Sequence, residues 1–121
     1  MPTVNITLDN FQQTIQENNM VILDWWADWC GPCKAFAPTF EKKSDEHQDV
    51  VFAKIDTEAN QELSQMANIT SIPTLMIFRE GILLFSQAGA LPPAQLEEVI
   101  QATKDLNMDE VRAEIAKQQE N

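Results

Sequence analysis

Apolar and polar residues follow two periods along this chain, and the switches between them mark the elements. Residues 3–7, Thr-Val-Asn-Ile-Thr, alternate and are β-branched except at Asn5, which predicts a short strand. Phe11 and Ile15 lie four apart behind Asp9, a residue type that caps helices. They predict a helix over about 10–18, ended by Asn18-Asn19. From Met20 to Trp26 every position but Asp24 is apolar, which suits a buried strand. Phe36 and Phe40 then return four apart, predicting a helix from Cys33 to about His47 with a kink at Pro38. Val50 to Ile55 is a second apolar run and a second buried strand. Leu63, Met66 and Ala67 mark the inner face of a helix over about 59–67. Leu75 to Arg79 reads as a strand, Glu80-Gly81 as a turn with positive φ at Gly81, and Ile82 to Gln87 as the returning strand, ended by Gly89. Pro92-Pro93 opens a helix whose apolar stripe is Leu96, Val99 and Ile100.

Two strands joined by a helix form a βαβ unit, so they run parallel with a right-handed crossover. The later hairpin is antiparallel. The expected class is α/β: a mixed sheet with helices on both faces, built from residues 1–103. Residues 104–121 form a C-terminal helical extension. After a break at Lys104-Asp105-Leu106-Asn107, either Asn107 or Asp109 caps a new helix through about Gln118. Met108, Val111 and Ile115 make its single apolar stripe, opposite Glu110, Glu114 and Lys117. So short a helix is marginal alone, and the stripe needs a surface. It docks beside the Leu96–Val99 helix, or pairs with a second copy or a partner, or frays. The expected state is a monomer, with a dimer through this helix as the alternative.

The chain has 121 residues, enough for one substantial core. Its net charge is −11, from 8 basic and 19 acidic residues. That excludes binding to a nucleic-acid backbone, which needs basic surface. The acidity serves solubility, or steers a basic partner. No apolar run approaches the ~20 residues that span a bilayer, and Met-Pro-Thr-Val-Asn does not read as a secretory signal. The expected setting is therefore cytoplasmic, without membrane partners. Two cysteines cannot build a four-thiolate zinc site, and Cys30, Cys33 and His47 would need a fourth ligand, so no metal is expected.

The chemistry lies in Asp24-Trp25-Trp26-Ala27-Asp28-Trp29-Cys30-Gly31-Pro32-Cys33-Lys34, where the first buried strand hands over to a helix. Cysteines three apart share a helix face, within reach of a disulfide. The helix N-terminus stabilises a thiolate. Pro32 lacks an N–H, which costs nothing in a first turn, and it stiffens the loop. A loop this short adds little stability as a structural crosslink, which favours redox chemistry. Cys30, the more solvent-facing sulfur, is the nucleophile, and the more buried Cys33 resolves the mixed disulfide. Asp24, expensive to bury as a carboxylate, either points to solvent at the strand end or titrates high and accepts the Cys33 proton. Trp25 and Trp26 read as core, Asp28 as a solvated carboxylate.

This segment resembles the active site of the thioredoxin family, and Pro38, Lys54, Ser71-Ile72-Pro73-Thr74, Gly81 and Gly89 match in order over roughly residues 3–103. The resemblance implies a thioredoxin-like fold with a central five-stranded mixed sheet and four helices, plus the extra C-terminal helix. It also implies a buried Asp24 with Lys54 nearby to modulate it, and a cis Pro73 facing the cysteines. Trp29, Ile72, Pro73, Gly89 and Ala90 would then surround Cys30 as the client-binding surface, with Trp29, Gly31 and Pro32 as the active-site loop. Gly-Pro between the cysteines resembles reducing members, whereas oxidants and isomerases more often carry histidine there. Trp25 stands where the family usually has Phe, and Ser71 where a glycine is common. The implied activity is reduction of disulfides in client proteins. No cofactor is needed beyond the redox-active Cys30–Cys33 disulfide, which a thioredoxin reductase-type flavoenzyme would reduce. The competing function is a thioredoxin-fold binding or chaperone-like module in which the redox pair is secondary.

Overall fold

A computed structural model describes residues 3–120. The chain runs β1 (Val4–Asn5), α1 (Phe11–Glu17), β2 (Met20–Trp26), α2 (Gly31–Glu46), β3 (Val51–Asp56), α3 (Gln61–Met66), β4 (Thr74–Arg79), β5 (Ile82–Ala88), α4 (Pro93–Asp105) and α5 (Met108–Gln119). One five-stranded sheet has the order β1-β3-β2-β4-β5. β1, β3 and β2 are parallel, and β4 and β5 are antiparallel to their neighbours. This is the thioredoxin-like arrangement expected, with β2 at the centre.

The continuous apolar run of β2 follows from its place, because helices cover both of its faces. Even-numbered residues face one way: Met20 and Ile22 pack with Phe36 and Phe40 of α2, Phe52, Ile77, and Leu96 and Ile100 of α4. Odd-numbered residues face the other way: Val21, Leu23 and Trp25 pack with Ile15 of α1, Ile55, Leu63 of α3 and Met76. Side chains alternate along a strand, so Asp24 points to the α2 side.

Several boundaries differ from the pattern reading. β1 keeps only Val4–Asn5, because only these two register with Ala53 and Lys54. Asp9 does not cap α1. Asn10 holds the N-cap position, and its Oδ1 accepts the Thr7 N–H at 2.8 Å. α2 starts at Gly31 rather than Cys33, and continues as one helix past the exposed Pro38. α3 ends at Met66, whose side chain is 68% exposed instead of inward. It overhangs an open apolar groove of about 410 Å³ lined also by Leu8, Phe11, Met76 and Leu83. The β4–β5 turn has positive φ at both Glu80 (53°) and Gly81 (80°). A two-residue turn matched to strand twist requires both, although only Gly adopts it without strain. The Glu80 N–H, donating to Asn19 O at 2.7 Å, and its carboxylate, bonded to Arg112, hold the residue there.

α5 forms as predicted, and Asn107 is its cap: Oδ1 accepts the Glu110 N–H at 3.1 Å. Its docking site is not the one expected. The stripe residues Val111 and Ile115 face Ile82 and Leu84 of β5 across a groove of about 380 Å³, rather than the Leu96–Val99 helix. Arg79 decides this. Its guanidinium donates to the carbonyls of Thr103, Lys104 and Leu106, ending α4 and turning the chain back to the hairpin. Met108 is then buried to 5% exposure. Burying such a side chain contributes about 1.5–3 kcal/mol. Truncation after Thr103 is thus expected to lower Tm by roughly 5–10 °C and to leave insulin reduction largely intact. It also bares the apolar start of the edge strand β5, so sedimentation should be run beside the melts. Full stability with lost activity would contradict this placement of α5.

Candidate active site

β2 delivers the chain to the C-terminal edge of the sheet, where a short turn leads into α2. The Cys30 N–H donates to Ala27 O at 3.2 Å, closing that turn. Cys30 is the N-cap of α2, and Pro32 lies in the first turn, where a missing N–H is harmless. Cys30 and Cys33 are disulfide-bonded, with Cα atoms 5.2 Å apart. The Cys33 N–H donates to Cys30 Sγ at 3.1 Å. A free N–H of the first helical turn is therefore aimed at Cys30 Sγ.

The two sulfurs differ less in exposure than the reading of the sequence suggested. Cys30 is 3% exposed and Cys33 2%. The Ile72 carbonyl oxygen lies 3.8 Å from Cys30 Sγ and helps to enclose it. The Ile72–Pro73 peptide is cis. Pro73 is buried, Ile72 is half-buried, and Gly89 and Ala90 are exposed beside them. The Gly89 N–H donates to Pro73 O at 2.8 Å, tying the end of β5 to this loop. Gly89 has a φ of 101°, which explains a glycine there. Trp29, next to Cys30, is 70% exposed. Gly31 and Pro32 lie open at the helix start.

Asp24 is 1% exposed, and neither carboxyl oxygen has a hydrogen-bond partner among the described residues. Burial pushes its pKa from 3.8 up to about 7, against an opposing pull from the Lys54 charge. Lys54 is paired with Asp24 in the β2–β3 register. Its ammonium lies over the Trp26 ring, 4.9 Å from the centroid, rather than on the carboxylate. Lys54 therefore moderates Asp24 through space without satisfying it. An unpaired buried carboxyl is rare in a folded protein and calls for a reason.

His47 sits at the far end of α2 and shares no site with the cysteines. Its Nε2 is 2.8 Å from Glu97 Oε1, and its Nδ1 accepts from the Lys104 ammonium at 2.9 Å. Glu46, His47 and Glu97 bring donor atoms within 4.8 Å of one another. The Lys43 ammonium already lies 3.0 Å from both carboxylates, so this is an ion-pair network joining α2 to α4. Glu97 titrates low, at about 2, held down by hydrogen bonds from Gln101, His47 and Lys43.

One feature escaped the sequence reading. Thr57, Glu58, Ser64 and Ile69 form a cavity of about 340 Å³ with Trp29 and Ile72. Its signal was positional: Thr57 and Glu58 follow β3 at the strand's C-terminal end, beside the C-terminal end of β2, where parallel sheets place ligands.

Comparison with known proteins agrees with this geometry. The thioredoxin family model matches residues 2–102. A putative thioredoxin 2 of Streptomyces coelicolor is 53% identical over 117 residues, 97% of this chain and 87% of that one, so its similarity extends into α5. A thioredoxin of Alicyclobacillus acidocaldarius is 42% identical over 96 residues, covering 78% of this chain and 91% of its own. Among solved structures, Plasmodium falciparum thioredoxin superposes with a TM-score of 0.77 at 34% identity, covering 83% of this chain and 98% of that one. Spinach chloroplast thioredoxin f gives 0.79 at 34% identity, covering 86% and 95%. The chain therefore belongs to the thioredoxin family and is a protein-disulfide oxidoreductase.

Proposed function

We propose that it works as a reductase of client disulfides, with Cys30 as nucleophile, Cys33 as resolving thiol and Asp24 as proton acceptor. The observation that carries this is the Cys33 N–H aimed at Cys30 Sγ from the first turn of α2. In the reduced protein that donor and the helix dipole favour a Cys30 thiolate. The thiolate attacks one sulfur of the client disulfide. A Cys30–client bond forms, and the other client sulfur leaves as a thiolate. Cys33 then gives its proton to Asp24 and attacks Cys30 Sγ. The second client sulfur leaves, and the Cys30–Cys33 disulfide closes. Two electrons have passed to the client, and no further cofactor is required. Ile72 and the exposed Gly89-Ala90 segment offer backbone and apolar surface for an extended client, in the manner of strand addition. Trp29 supplies a large apolar contact beside them, while Gly31 and Pro32 keep the approach to Cys30 low.

A thioredoxin reductase-type flavoenzyme would restore the dithiol, and a cytoplasmic setting suits a reducing role. No helix among the described residues is long and apolar enough to cross a membrane. A monomer fits the structure, because the stripe of α5 faces the chain's own hairpin. We treat residues 104–121 as an appendage to a catalytic domain of residues 1–103, in keeping with the family match ending at 102. α4 itself runs on to Asp105. A pure binding module would not need an unpaired buried carboxyl on the α2 side of β2.

Cys33→Ser tests the order of events. Its Cys30 should still attack, and the product should accumulate as a mixed disulfide with insulin, seen on non-reducing gels. Preferential alkylation of Cys33 over Cys30 in the reduced wild-type protein would reverse the two roles.

A further inference from the structure

Trp29 and Ile72 flank the disulfide and also line the separate cavity of about 340 Å³. Its polar side chains are Thr57, Glu58, Ser64, Thr70 and Ser71. Thr57 Oγ1 donates its proton to Trp26 O at 3.1 Å, and Ser64 Oγ donates to Asn60 O at 2.8 Å. With both protons committed, the two hydroxyls present lone pairs to the cavity. Glu58 adds a carboxylate and is the one ionisable side chain among the described lining residues. Its backbone N–H donates to Asp56 Oδ1 at 2.9 Å, which fixes the residue at the cavity wall. Trp29, Ile69 and Ile72 supply the apolar remainder.

This set of groups matches a long aliphatic stem carrying a cation. The stem would lie on Ile69, Ile72 and the Trp29 ring, whose face also attracts positive charge. The head would meet Glu58 and the two hydroxyl oxygens. An acidic side chain would be repelled by the Glu58 carboxylate, the one charge in the lining, within a chain of net charge −11. We infer that this cavity is a client subsite, and that Glu58 selects clients carrying lysine or arginine beside the cysteine under attack. The inference rests on the reading of Cys30 as the attacking group. Cys30 Sγ lies 3.8 Å from Ile72 O, so a client cysteine at Cys30 places its neighbour's side chain within reach of the cavity.

The test uses three synthetic peptides with the same intramolecular disulfide and lysine, norleucine or glutamate preceding each cysteine. Dithiothreitol-reduced protein is mixed with each, and loss of the peptide disulfide is followed by chromatography. At low ionic strength the lysine peptide should react about two- to fivefold faster than the norleucine peptide, the size of a partly exposed charge pair. The glutamate peptide should be slowest, and high salt should compress the series. Glu58→Gln should bring the lysine-to-norleucine ratio to about one, and Glu58→Lys should invert the order in favour of glutamate. Equal rates for all three peptides with the wild-type protein would overturn the subsite and leave the reductase reading standing, as would a lysine preference that survives Glu58→Gln. Failure of the wild-type protein to reduce any of them would overturn both.

Discussion

Cys30→Ser is expected to abolish disulfide reduction, lowering the rate by roughly 10⁴–10⁶-fold, the scale seen when a covalent nucleophile is removed. Thiolate is the nucleophile in exchange, and the helix N-terminus and the Cys33 N–H can favour an anion only at a group acidic enough to ionise. A serine hydroxyl is not, and an oxygen at position 30 cannot form the mixed disulfide. Cys33 remains, but it lies one turn into α2 and is 2% exposed in the oxidised protein. The insulin precipitation assay reads the effect directly, with reductant alone as background. Because the variant also lacks the disulfide, its stability should be compared with the reduced wild-type protein. Residual reduction comparable to wild type would remove Cys30 from the reaction.

Asp24→Asn is expected to have two effects of opposite sign. Turnover near neutral pH should fall by about 10²-fold, the lower end for a lost proton acceptor, since water can partly substitute. The wild-type pH profile should show a group titrating near 7 that the variant lacks, following the raised pKa of Asp24. Formation of the mixed disulfide by Cys30 should change much less. Stability should move the other way. Below pH 3.8 the carboxyl is protonated in both folded and unfolded chains, so it imposes no penalty. Between 3.8 and about 7 the unfolded chain releases its proton while the folded protein retains it, and stability declines with rising pH. Above about 7 the loss is complete. A shift from 3.8 to about 7 corresponds to about 4 kcal/mol. Asp24→Asn should recover much of that at pH 8 and almost none at pH 3. Urea unfolding of the oxidised protein at the two pH values would measure it. Unchanged turnover near pH 7 would remove the proton-acceptor role, whatever the stability result.

Elements whose cause is local, or repeats along the chain, are written in the order of the residues. The apolar run of β2, the phenylalanine pair of α2 and the Pro92-Pro93 start of α4 carry their signals in a few neighbouring residues. Cys30-Gly31-Pro32-Cys33 at a strand-to-helix junction was legible for the same reason: capping, proline and disulfide reach all act over one helical turn. Asp24 could be recognised as costly because its neighbours are apolar. Tertiary structure decided everything that depends on which surfaces meet. No local pattern shows that Lys54 rests on Trp26 and leaves the Asp24 carboxyl unpaired. Nor does any show that the oxidised Cys30 is as enclosed as Cys33, since the enclosing group comes from the Ile72–Pro73 loop, distant in sequence. Met66 fits the helical spacing of an inward residue, yet α3 ends there above an uncovered groove, and periodicity cannot report where cover runs out. α5 carries its cap and stripe in its own residues. Its partner surface was settled by Arg79, which holds three carbonyls at the end of α4 and directs the helix to β5. The cavity at Glu58 belongs to the same class, because its walls come from three separate stretches of chain that only the closed sheet brings beside Trp29.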